Sequence, residues 1–321
     1  MKKILWITAA AAGLLAAASC QKDVVNDTLE GEETVVTFTV AAPEVETRTI
    51  SDGEKVNIVH WAAFDNDDKP VKNLAGTAVV NGKTATFTAK LVKHYDYNFV
   101  FWAHKGDEYG QHAAYNLGRF NEEGKVIVNY EGLANDENRD AFYKQEIITI
   151  TKDNEVRTIE LYRPFAQINF LAADYEAVEA VGLHTDMTST VLIENLPTVL
   201  NGIDGTVDTA LEGTTVKLAK AAIPTEDQYY EITDPNTGVT TKYGWYSMNY
   251  ILAGDKVNED MTGVFYHSKK TDGVNIVVPN VPYQRNHRTN IIGNFFTETV
   301  KIDIIVIESF DGEFIKNYPV I

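Results

Sequence analysis

Short runs that alternate between apolar and polar side chains recur along this chain, and that pattern most restricts its fold. Residues 34–40, TVVTFTV, put Val36, Phe38 and Val40 on one side and Val35, Thr37 and Thr39 on the other. A period of two marks a strand with one buried face. Further strand runs follow at 55–64 (KVNIVHWAAF) and 156–170 (VRTIELYRPFAQINF), and 97–103 (YNFVFWA) reads as a buried strand. Later ones read VLIENLP, VKLAKAAIP, YSMNYILA, VNIVVPNVP and TVKIDIIVIESF. Aromatic residues at 11%, with many Val, Ile and Thr, favour strands over helices.

Turn signals separate the runs. Asn81-Gly82 between two alternating stretches predicts a hairpin. DNDDKP at 65–70 reads as a turn, and Pro164 belongs at an edge or bulge. Residues 106–137, rich in Gly, Asn and acids, read mainly as loops with one short strand, KVIVNY. Only 175–181 has helical character. This spacing predicts an all-β chain made of β-sandwiches. The 321 residues leave room for two domains. The turn cluster NGIDGTVD at 201–208 is the best boundary, giving an N-terminal sandwich at 34–205 and a C-terminal one at 206–321.

The first 19 residues form a separate unit. Lys2 and Lys3 precede an apolar run and then small residues, the layout of a cleaved secretory signal peptide. Cys20, the single cysteine, follows at once. Ala17-Ala18-Ser19-Cys20 resembles a bacterial lipobox, which implies that Cys20 becomes the first residue and carries diacylglycerol, with palmitate among its acyl chains. Lipid would hold an exported domain at a membrane, since each buried CH₂ contributes about 0.8 kcal/mol. Residues 20–33 then read as an acidic tether. No disulfide can form, and a chain of this length does not need one to stabilise its core.

The net charge of −18 becomes −20 once Lys2 and Lys3 leave with the signal peptide. Such a chain does not suit nucleic acid, which needs clusters of Lys and Arg. Catalytic and metal motifs are missing from the sequence. The seven histidines His60, His94, His104, His112, His184, His267 and His287 form no H-x-H or H-E-x-x-H, and one cysteine cannot complete a zinc set. Asp65-Asn66-Asp67-Asp68 lacks the glycine and glutamate of a calcium loop, so a hairpin tip is expected there. G-x-S-x-G, Walker and G-x-G-x-x-G signatures do not occur. The expectation is a chain without metal, cofactor or enzymatic activity. The basic knot Arg285-Asn286-His287-Arg288 either grips an acidic partner or caps strand ends and pairs with carboxylates, and the second reading is favoured.

Residues 281–297, VPYQRNHRTNIIGNFFT, followed by VKIDIIVIESFDGEF, resemble the C-terminal part of Bacteroidetes fimbrillin-like lipoproteins, the type V pilin or major fimbrial subunit superfamily. The segment at 161–170, LYRPFAQINF, resembles a strand of that family through Arg163, Ala166 and Ile168. In the C-terminal motif the matching positions are Arg285, Asn286, Arg288, Asn290 and Gly293. The resemblance implies two tandem transthyretin-like β-sandwiches. It also implies a structural or adhesive fimbrial subunit, made as an outer-membrane lipoprotein at the cell surface and polymerised by strand exchange. The implied partners are other fimbrial subunits, an arginine-specific protease, the outer membrane through lipid, and a host or bacterial surface ligand.

The residues can be read beside that resemblance. Arg48, next to Thr49 in EVETRTISDG, is the only arginine between Cys20 and Arg119. The stretch has no apolar periodicity, so a trypsin-like protease should reach it. Cleavage there would make 34–48 a removable propeptide strand and leave a groove for a neighbour's strand. The C-terminal end, with Phe310, Phe314, Tyr318, Val320 and Ile321, is the natural donor. The alternative is a monomeric surface lipoprotein that binds a glycan or a host protein.

Overall fold

A computed structural model describes residues 31–41, 53–132, 135–208, 215–223, 228–234 and 236–296, and the backbone course of Ile302–Ser309 and Gly312–Tyr318. The architecture is all-β and of sandwich type, with four sheets and only short helical turns among the described residues. Among the described residues no helix is long and apolar enough to cross a membrane.

The alternation at 34–40 becomes the strand Glu33–Ala41, in which Val36, Phe38 and Val40 are buried. It lies inside a seven-stranded sheet. On one side it pairs antiparallel along its whole length with Thr84–Val92; on the other it pairs parallel with Val156–Glu160. The long strand Pro70–Asn81 links two halves of this sheet. Residues 75–79 pair with Ile58–Phe64, while Val80 and Asn81 pair with Thr84–Val92. Asp96–His104 and Ala141–Thr149 complete the order. Tyr143 and Tyr162 exchange two backbone hydrogen bonds, which joins the two ends of the sheet. Inside sits an aromatic core, with Phe38 4.9 Å from both Phe87 and Phe99, and Trp61 stacked 4.3 Å from Phe87.

A second, larger core gathers most of its residues from 165–296. Its main sheet has six strands, with Phe165–Ala172 parallel to Arg288–Gly293 and antiparallel to Thr240–Leu252. The backbone of Ile302–Ser309 and Gly312–Tyr318 forms a hairpin at one edge. A four-stranded sheet built on Thr188–Glu194, Val257–His267 and Lys270–Tyr283 contributes the other apolar face. Phe170 of the first sheet meets Phe265 of the second at 5.6 Å. The segment 201–208 carries a small hairpin, in which Val199–Asn201 pairs with both Val207–Asp208 and Lys125–Val128.

Several expected turns take a definite form. Asp65 and Lys69 close the DNDDKP turn, and Asp65 Oδ1 accepts from the Asp67 and Lys69 amides at 2.9 Å. It is a hairpin tip between Ile58–Phe64 and Pro70–Asn81. At the second hairpin Asn81 pairs with Thr84, so the two-residue loop is Gly82-Lys83. Only Gly82 has positive φ, +65°, which places glycine first in the loop rather than in an Asn-Gly turn. A Cβ at Gly82 meets nothing within 4 Å. Gly82→Ala should therefore cost about 1 kcal/mol through backbone strain alone. Gly82→Asn should cost less, because asparagine tolerates this region. Urea midpoints of the two variants test this, and equal losses would contradict it.

Candidate functional site

The residues singled out from sequence fall into four groups. Cys20, Arg48 and Thr49 lie outside the described residues. Ala166, Arg288, Asn290 and Gly293 come together on two neighbouring parallel strands at the centre of the six-stranded sheet. They belong to the fold's interior: Asn169 pairs with Asn290 in register, and its Nδ2 donates to Asn290 Oδ1 at 2.8 Å. Trp245 Nε1 donates to Asn169 Oδ1 at 3.3 Å. Asn286 has φ +58° in the turn that leads into Arg288–Gly293. Arg285 donates to the carbonyls of Ala253 and Gly205, so its described partners are backbone carbonyls rather than carboxylates.

Arg163 stands between Leu161, in the smaller core, and Phe165, in the larger. Its side chain is completely buried and forms a two-pronged pair with Asp140, Nε to Oδ1 at 2.8 Å and Nη2 to Oδ2 at 2.9 Å. The guanidinium also lies 4.6 Å from the Phe142 ring. This geometry joins the strand pair on both sides of the junction and offers nothing to solvent.

The concave site lies elsewhere, on the 105–121 segment, at the start of the stretch where the sequence predicts mainly loops. The segment carries the short strand Tyr115–Asn116 and one helical turn, Phe120–Glu123. It walls a cleft of about 1050 Å³ with His60, Asp136 and Asn138. Asp107 builds the near wall: its Oδ1 accepts from the Tyr109 amide at 2.8 Å and the Gln111 amide at 2.9 Å. Those two amides hold its carboxyl below the usual range. Asn57 fixes the base, with Nδ2 donating to Gly106 O at 2.8 Å and Oδ1 accepting from Gly106 N at 2.7 Å. Gly110 has φ +72°, and a Cβ on Gly106 would come within 2.9 Å of the Gly110 Cα. Both glycines are thus required for the close fold-back of this loop. On the far wall Asp136 Oδ1 accepts from both the backbone and the side-chain nitrogen of Asn138.

Three histidines meet at this loop: His60 from Ile58–Phe64, His104 from Asp96–His104 and His112 on the loop itself. His60 stacks on His104 with ring centres 5.2 Å apart, and His112 lies 6.4 Å from His104. Burial pushes all three pKa values down, that of His104 to about 3. The imidazoles are therefore neutral at physiological pH. Neither ring nitrogen of His104 has a hydrogen-bonding partner among the described residues. No group of three or more possible metal ligands occurs among those residues.

The fold and cleft together define an all-β sandwich protein with a loop-walled pocket of mixed polar and apolar lining and no recognisable catalytic constellation among the described residues. The chain belongs to a family of unknown function, DUF6562, whose model matches residues 27–320. No curated protein matches it. A solved structure of a candidate cell adhesion protein from Bacteroides uniformis is similar, with 12% identity, a TM-score of 0.50 and coverage of 85% of this chain and 96% of that one. The tip fimbrial protein Mfa3 from Porphyromonas gingivalis, with C-terminal truncation, is 11% identical at a TM-score of 0.48, covering 86% of this chain and 99% of its own. A candidate polysaccharide-binding protein (DUF1812) from Bacteroides thetaiotaomicron is 14% identical at 0.49, covering 88% and 98%. At these identities the likeness is one of fold.

Proposed function

We propose that this chain is a structural and adhesive subunit of a cell-surface fimbria, made as a lipoprotein precursor with lipid on Cys20. The observation that carries the proposal is the place of Glu33–Ala41. This first strand is an interior strand, inserted between Thr84–Val92 and Val156–Glu160. Its three inward side chains are buried to 1% exposure or less. They contribute about 1.5–3 kcal/mol each, enough to keep an uncut precursor monomeric. Losing the strand would open two backbone ladders and an apolar slot at once, which a strand from another subunit could fill. The similarity in fold to a candidate cell adhesion protein fits this reading.

Cleavage after Arg48 by an arginine-specific protease would release the lipid and this strand together. Gly312–Tyr318 is a suitable donor, because it is an edge strand hydrogen-bonded on one side only. The chain's division into two sandwiches is part of the same proposal, each handling one end of the exchange; the boundary expected at 205/206 belongs nearer Arg163, because Phe165–Ala172 and Thr188–Glu194 pair with strands of 240–293. The test is trypsin treatment of precursor labelled with fatty acid, followed by unheated gels and electron microscopy. Wild type should lose label and form ladders. Arg48→Ala should stay a labelled monomer. Ladders from Arg48→Ala, or none from cleaved wild type, would sink the strand-exchange reading.

A further inference from the structure

We infer that the cleft between His60, the 105–121 loop and Asp136 binds a neutral oligosaccharide. The inference rests on the adhesive reading above and assigns that reading its ligand. Size is the first argument. At about 1050 Å³ the cleft stands at the upper end of the range for small-molecule sites, so it fits several linked rings better than one.

The lining chemistry is the second argument. Gln111, Asn121 and Asn116, whose Oδ1 accepts from the Gly118 amide, are exposed amides on the lining, and the carboxylates of Asp107 and Asp136 line the same space. Amides and carboxylates can pair with neighbouring hydroxyls, which both donate and accept. Tyr109 stands at the rim, 77% exposed, on the turn that Asp107 holds rigid. An apolar ring placed in water at such a spot gains by covering the C–H face of a sugar ring. Because Asn57 and the two glycines already fix the loop, little ordering is left for binding to overcome.

Charge selects among sugars. Lys105 is the one lysine or arginine on the lining, against two carboxylates, and the whole chain carries −18. His60 and His112 add no positive charge while burial keeps them neutral. Uronate, sulfated and phosphorylated ligands would be repelled.

The experiment is calorimetric titration of the purified full chain with short neutral gluco-, manno- and galacto-oligosaccharides, beside oligogalacturonate and a sulfated oligosaccharide. Saturable binding of at least one neutral sugar is expected, with acidic sugars weaker or silent. Tyr109→Ala should weaken it about tenfold, and Asn121→Ala about fivefold. Both side chains are exposed, so unchanged melting curves verify that the variants fold. No binding of any neutral sugar overturns the inference. So does tighter binding of the acidic sugars, or wild-type affinity in both variants. Ladder formation is measured on the same preparation. Ladders without sugar binding count against this inference alone, and sugar binding without ladders counts against the fimbrial assembly alone.

Discussion

Replacing Asp140 by asparagine should lower the unfolding free energy by about 3–5 kcal/mol, because it leaves the buried Arg163 guanidinium without its countercharge. Neither side chain of the pair can turn to water: Arg163 is fully buried and Asp140 nearly so. Arg163→Lys should be costly too, since an ammonium cannot make the two-pronged contact or lie flat against Phe142. The double change Asp140→Leu with Arg163→Met should recover most of the loss, because replacing both charges removes the desolvation cost along with the attraction. Urea unfolding of the four proteins measures this. A loss below about 1 kcal/mol for Asp140→Asn would mean that the junction does not depend on the pair.

Acid should be the second large source of instability. His104 has an ordinary value of 6.5 when unfolded and about 3 when folded. Between those values the unfolded chain binds a proton that the folded chain excludes, so stability falls as the pH drops through 6.5. The loss is complete only below 3. By pH 4 His104 alone should remove about 3 kcal/mol. His60 and His112 are shifted down by burial as well and act in the same direction. The groups that face His104 are those two rings, Tyr115, the Gly110 backbone and the Asp107 carboxylate; Gly110 and Asp107 favour its protonation, and burial outweighs them. The measurement compares unfolding free energies at pH 7, 5.5 and 4 for wild type and His104→Leu. The variant should show a flatter profile. Parallel profiles would remove His104 as the cause, since the shared carboxylate contribution cancels in the difference.

The strand at 34–40 is legible because burial on one face writes a period of two into the sequence, whereas 58–64 and 97–103, buried mostly on both faces, are legible as short apolar runs. Tyr175–Ala180 was legible as a helix for the corresponding reason. Val257–His267 was missed: it begins with VNEDMTG, half of it lies toward solvent, and its apolar end is too short to show a period. Ala141–Thr149 was missed because it starts with three buried residues in a row and ends half-exposed. The 106–137 stretch read as loops because its order comes from Asx turns, glycine fold-backs and the Asn57 clamp, none of which leaves a period.

By itself, the sequence determined that the chain is all-β, where many turns fall, and that no local metal or catalytic motif is present. Those properties depend on neighbours a few residues apart, which share one backbone conformation. Tertiary structure alone decided that Arg163 would find Asp140, that His60, His104 and His112 would meet, and that a cleft would open beside them. Each of these depends on which strands lie side by side. Strand order is set by how two apolar cores close against water over the whole chain, and no short stretch of sequence records that.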